Sequence, residues 1–181
     1  RRMLLCHGWE GYAFNFAALI CAAYDAGWEV IAFDHLGHGA SGGALGSLPI
    51  SLSTLIAVAD EVGPVDLLVG HSLGGAASAW ATAHHRVNAR RLVLLAPFYD
   101  IIKLTQLWVK AHFLSEEIRE GLQRGLEGDT GMTAEDFMPP ALAPRFDRPF
   151  LVIHDPKDPI TAFRHSRALA QASKHATLVT A

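Results

Sequence analysis

The chain has 181 residues, half of them apolar and 18% charged, and 15 basic against 18 acidic side chains give a net charge of −3. That composition excludes intrinsic disorder, and the near-balanced, slightly acidic charge gives no footprint for nucleic acid. A chain of this size buries about 70% of its extended surface, so it can hold a core without staples.

Short apolar runs alternate with helix-length amphipathic runs, the pattern of βα units around a parallel sheet. Six strands are expected: Arg2 to His7, Trp28 to Asp34, Val65 to His71, Arg90 to Ala96, Pro149 to Asp155 and Ala176 to Ala181. Several lack polar alternation, as strands covered on both faces do. Between them, Phe16 to Asp25, a run through Leu52, Leu55, Ile56 and Ala59 capped by Ser51 or Ser53 and stopped at Gly63-Pro64, Leu73 to His85, and Ala162 to Ser173 read as helices. Residues 98–147 interrupt this rhythm and are expected to form a helical cap inserted into a single domain spanning 1–181. There Ser115 is placed to cap a helix with Ile118, Leu122 and Leu126 on one face and a Glu120 to Arg124 pair. Thr133-x-x-Asp136 starts a second helix and Pro139-Pro140 ends it. Cys6 and Cys21 are expected to be reduced, buried thiols. No apolar run is long enough for a membrane span and no export signal is present at the start, so a cytoplasmic setting is expected.

The chemistry concentrates in Gly70-His71-Ser72-Leu73-Gly74-Gly75, between an apolar strand and a helical run. A serine in a sharp strand-to-helix turn is lifted clear of the sheet, and glycines two residues to either side leave room for the turn. The N–H of Leu73, at the helix start, faces the place where an oxyanion would form.

This elbow and three flanking motifs resemble the α/β-hydrolase superfamily, in particular bacterial serine hydrolases with a short cap. His7-Gly8-Trp9 falls where that family places its oxyanion loop. Asp34-His35-Leu36-Gly37-His38-Gly39-Ala40-Ser41 is similar to the family's D-x-x-G-x-G-x-S turn, and His154-Asp155-Pro156-Lys157-Asp158-Pro159-Ile160 to its acid loop. The resemblance implies a mostly parallel sheet with helices on both faces. It also implies Ser72 as nucleophile, Asp158 as triad acid with Asp155 as the rival, and Trp9 and Leu73 N–H groups as the oxyanion hole. It places the triad histidine after the last strand, where this sequence offers none. His175 precedes that strand and lies at the far edge of the sheet, while His154, His35 and His38 are on the catalytic side as possible substitutes. His71 is expected to point away from the Ser72 hydroxyl. The expectation is therefore a chain lacking its first strands and its C-terminal histidine segment, with a base just past Ala181 and weak or no activity as it stands.

The expected reaction is hydrolysis of a carboxylic ester or related small acyl compound through an acyl-enzyme, without cofactor or metal. His35 and His38 have a metal-compatible spacing but no completing ligand. Leu104, Leu107, Trp108, Phe113, Met132 and Phe137 are available to line an acyl pocket, with Trp108 and Phe113 the leading substrate contacts, or to pack the cap onto the sheet. A non-catalytic binding or scaffold protein of the same fold, an acyltransferase and a cofactor-free peroxidase stay open as alternatives. The sequence leaves the oligomeric state undetermined.

Overall fold

The computed structural model describes residues 1–43, 46–118, 120–121, 124 and 132–181. Six strands, β1 (Arg2–Cys6), β2 (Glu29–Ala32), β3 (Leu67–His71), β4 (Leu92–Leu95), β5 (Phe150–His154) and β6 (Ala176–Thr180), form one sheet. Its order is β2-β1-β3-β4-β5-β6, and every neighbouring pair is parallel. All six expected strands are present, trimmed by a residue or two at most ends. The chain first builds outward from β1 to β2, then returns to place β3 on the other side of β1. The strand order therefore reverses between β1 and β3, and in open parallel sheets the crevice at the carboxyl ends of such a pair is where ligands bind.

Successive side chains of a strand face opposite sides. Met3, Leu5 and Val69 lie on one face with Phe16 and Ala23, the latter from helix α1 (Ala17–Asp25). Leu4, Cys6, Leu68, Leu92, Leu94 and Val152 lie on the other, under α2 (Leu48–Val62), α3 (Ser72–Ala83) and Leu169 of a later helix. Helices thus cover both faces. In β5 the residues Phe150, Val152 and His154 are buried while Leu151 and Ile153 are half-buried, so only one of its faces is fully covered.

Several local expectations shift. Helix α2 starts four residues early, at Leu48, because Ser47 is its N-cap, accepting from Ile50 N at 3.3 Å, with Pro49 in the first turn. Ser51, expected as a cap, is buried inside the helix. Gly63 ends α2 as expected, at φ 74°. Between β4 and β5 the chain forms α4 (Ile101–Ala111), which the sequence reading did not single out. The Glu120–Arg124 pair is present at 3.4 Å, while Leu122 and Leu126 of the same expected helix lie outside the described residues. Thr133 and Asp136 form a capping box at the start of a 3₁₀ turn, Ala134–Phe137. Pro139-Pro140 does not end a helix: it opens the short α5 (Pro139–Leu142), since proline is tolerated in a first helical turn. Helix α6 (Phe163–Ala172) then leads to β6. Cys6 is buried, with its thiol pKa pushed up to about 12 by burial against a weaker opposing hydrogen bond, but Cys21 is exposed on the outer side of α1.

Among the described residues no helix is long and apolar enough to cross a membrane. Leu68 is fully buried at the centre of the sheet, and Val179 is 43% exposed on the edge strand β6. Leu68→Ala is expected to cost about 2–5 kcal/mol in urea unfolding and Val179→Ala less than about 0.5 kcal/mol.

Candidate active site

β1 and β3 run level, with Cys6 paired to Gly70, so the residues that follow each strand emerge side by side. After β3, Ser72 takes φ 51°, the left-handed region that L residues rarely adopt, and α3 begins at that residue. A non-glycine residue held there stores of order 1–3 kcal/mol of strain, which the surrounding packing must offset. The packing is tight enough to do so. A Cβ on Gly74 would overlap the carbonyl oxygens of Cys6 and His7, so α3 can meet the end of β1 only because residue 74 has none. A Cβ on Gly8 would stand 2.9 Å from Cβ of Ser72 and 3.3 Å from Nδ1 of His71. The backbone after β1 and the serine turn after β3 are thus in direct contact. The Ser72 carbonyl accepts from Phe98 N at 3.0 Å, which ties the turn to the end of β4 as well.

The loop after β1 is held by its own carbonyl. Gly8 O accepts from His7 Nδ1 at 2.7 Å and from Gly11 N at 3.1 Å. Trp9 is 41% exposed, its ring edge-on to His38, and among the described residues its N–H has no acceptor. The turn after β2 packs behind this loop. Asp34 accepts from Ala13 N at 2.7 Å and Ala40 N at 2.8 Å, and these two donors, against some burial, hold its carboxyl below the usual range.

Asp158 sits in the loop after β5. Its carboxylate accepts from Ile160 N and Thr161 N, both at 2.8 Å, and from the Thr161 hydroxyl. Burial pushes its pKa up, but these donors and the neighbouring His154 prevail and hold it below the ordinary value. His154 is buried and fully engaged: Ser166 Oγ donates to Nδ1 at 2.7 Å, and Nε2 donates to the Thr161 carbonyl and hydroxyl at 3.1 and 3.0 Å. With both nitrogens occupied, it is a scaffold for the acid loop and not a substitute base. His154 was expected on the catalytic side as a possible base, whereas the supporting roles of Thr161 and Ser166 were not foreseen; the signal in the sequence was a threonine three residues after an aspartate, the spacing of a local side-chain turn. Asp155 instead accepts from Lys157 N at 2.8 Å and is exposed.

His71 is the histidine that shares this space. Its Nδ1 is turned to Gly8, burial lowers its pKa, and the negative field of Asp158 opposes that shift. His35 is buried and His175 stands at the amino edge, its carbonyl accepting from Phe150 N at 3.0 Å. Of the expected acyl-pocket residues, Phe137 is fully buried against the core near Trp80, and Met132 packs against the same core. Phe113 is 96% exposed just past the end of α4, at φ 53°, and so lines no pocket among the described residues. The side chains of Leu104, Leu107 and Trp108 lie outside the described residues. Among the described residues no three metal-ligating side chains cluster.

A family model of the alpha/beta hydrolase fold matches residues 1–134, which take in the loop after β1, the turn after β2 and the serine elbow. The chain belongs to the α/β-hydrolase family. Solved structures agree on the fold. The monoacylglycerol lipase of Paleococcus ferrophilus superposes with TM-score 0.75 at 24% identity over 99% of this chain and 83% of its own. Est1E from Butyrivibrio proteoclasticus, solved with ferulic acid, gives 0.75 at 21% identity over 99% and 78%. The esterase EaEST of Exiguobacterium antarcticum gives 0.70 at 17% identity over 99% and 82%. Comparison with curated protein sequences gives no match. Asp158 lies past the segment that the family model matches, so its place rests on the acid-loop geometry.

Because the Thr161 hydroxyl supports the Asp158 carboxylate, Thr161→Val is expected to raise the Asp158 titration midpoint, read by carbon NMR of the carboxyl. The folded pKa is below the unfolded one, so this carboxylate stabilises the fold above the ordinary carboxylate pKa. That contribution is lost as pH falls through the depressed folded value, and the variant should lose less stability on acidification than the parent.

Proposed function

We propose that this α/β hydrolase cleaves carboxylic esters or related acyl bonds through an acyl-enzyme on Ser72. The observation that carries the reading is the left-handed Ser72 at the head of α3, in contact with the Gly8 backbone across the reversal of strand order. In this reading Ser72 Oγ attacks the carbonyl carbon, and the N–H groups of Trp9 and Leu73 receive the oxyanion. Asp158 orients the base and balances its charge, a role that its three donors suit by keeping it ionised. Asp155, exposed and engaged with its own loop, has no comparable support. The base in this reading is a histidine reaching between Asp158 and Ser72. The lipase and esterases that share the fold are consistent with ester chemistry.

In this reading Trp108, whose side chain lies outside the described residues, is the proposed substrate contact from the residues between β4 and β5. The ligand is a small acyl compound, bound without metal, cofactor, nucleic acid or membrane.

The natural full-length protein is the material for the test. A fluorophosphonate should label it at Ser72, and short-chain p-nitrophenyl esters should be turned over. Ser72→Ala should abolish labelling and lower kcat by about 10⁴–10⁶, and Asp158→Asn by about 10⁴. A folded full-length protein that neither labels nor turns over ester would overturn the enzymatic reading and leave a binding or scaffold role.

A further inference from the structure

Two buried histidines from different loops, His7 and His35, lock one another in place. The backbone N–H of His35 donates to Nε2 of His7 at 3.0 Å, so that nitrogen carries a lone pair. Nδ1 of His7 therefore bears the proton, and it faces the Gly8 carbonyl, which can only accept, at 2.7 Å. In return, Nε2 of His35 lies 3.2 Å from the carbonyl of His7, which can only accept, and 3.4 Å from Sγ of Cys6, which can accept as well, so Nε2 carries the proton and Nδ1 of His35 is left bare and unpartnered among the described residues. The hydrogen bonds thus assign opposite neutral tautomers to the two rings, whose centroids are 4.5 Å apart.

The consequence falls on one peptide unit. The Gly8–Trp9 peptide bond is trans, so the C=O of Gly8 and the N–H of Trp9 point in opposite directions. With Gly8 O drawn toward the His7 ring and Gly11 N, the Trp9 N–H is turned away from that buried ring and left without an acceptor, next to the residue whose Cα abuts Ser72.

We propose that His7 is a positioning residue for acyl transfer: its Nδ1–H aims the Trp9 N–H at the oxyanion, and His35 fixes the tautomer that allows it. This rests on the hydrolase reading of Ser72. His7 would lose the arrangement on protonation, because Nε2 would then present a proton to the His35 N–H. The surroundings oppose that charge: burial lowers the His7 pKa most, His38 and His71 lower it further, and the Gly8 bond and Asp34 act the other way. His35 is held neutral more strongly still, pulled down to about 3 by burial and by His7.

The test compares His7→Leu with His7→Asn in the full-length protein. Leucine fills space without a donor, whereas the asparagine amide can place an N–H near Nδ1. His7→Leu should lower kcat on a p-nitrophenyl ester by about 10²–10³, the usual effect of losing an oxyanion donor, with KM within threefold. His7→Asn should recover at least tenfold of that loss. A folded His7→Leu protein within threefold of the parent kcat, or an asparagine variant no better than leucine, overturns the proposal. If leucine prevents folding, nitrogen NMR of the parent decides: His7 protonated on Nδ1 and His35 on Nε2 at neutral pH is expected, and any other pair of tautomers overturns it. A parent that binds no fluorophosphonate while showing the expected tautomers separates a failed hydrolase reading from a failed histidine lock.

Discussion

The site depends on one close approach, that of the backbone after β1 to the turn after β3. Two adjacent parallel strands end level, and the chain leaves them in unrelated ways, one into a loop and the other into a helix. Bringing those exits into contact requires that side chains be absent where they would collide, which Gly8 and Gly74 provide. It also requires that Ser72 be held at a positive φ. The contact therefore offsets a strained residue with dense packing, and brings the serine turn against the backbone of the loop after β1.

Around this contact the histidines divide by role according to what each ring nitrogen touches. His154 supports the acid loop through Thr161, and His7 and His35 support the loop after β1. His84 stacks on Trp80 and donates to its carbonyl at 2.9 Å at the end of α3. The chain carries ten histidines, and these four are structural: neutral imidazole supplies one donor and one acceptor in fixed directions, which suits buried turns with unmatched backbone groups. The low pKa of buried His35 fits that use, since it keeps the imidazole neutral.

The strands could be read from the sequence because they are apolar runs bounded by polar or turn residues, and the elbow because its glycines and serine stand at a spacing that few other structures need. What could not be read was set by contacts distant in the chain. His7 and His35 are 28 residues apart, and nothing local assigns their tautomers. Ser51 and Ser53 had the composition of a cap, but Ser47 with Pro49 beside it began the helix earlier. Phe113 had the chemistry of a pocket residue, yet exposure is decided by where α4 ends. Cys21 misled for a similar reason, since its apolar neighbours in sequence lie on several sides of α1.

The central claim is geometric: an acyl oxyanion on Ser72 is received by the N–H groups of Trp9 and Leu73. A crystal structure of the full-length protein phosphonylated by a fluorophosphonate tests it directly. The account predicts phosphorus bonded to Ser72 Oγ, with one phosphonyl oxygen about 2.7–3.1 Å from both backbone nitrogens. An adduct on another residue, or a phosphonyl oxygen directed away from both nitrogens, would contradict it.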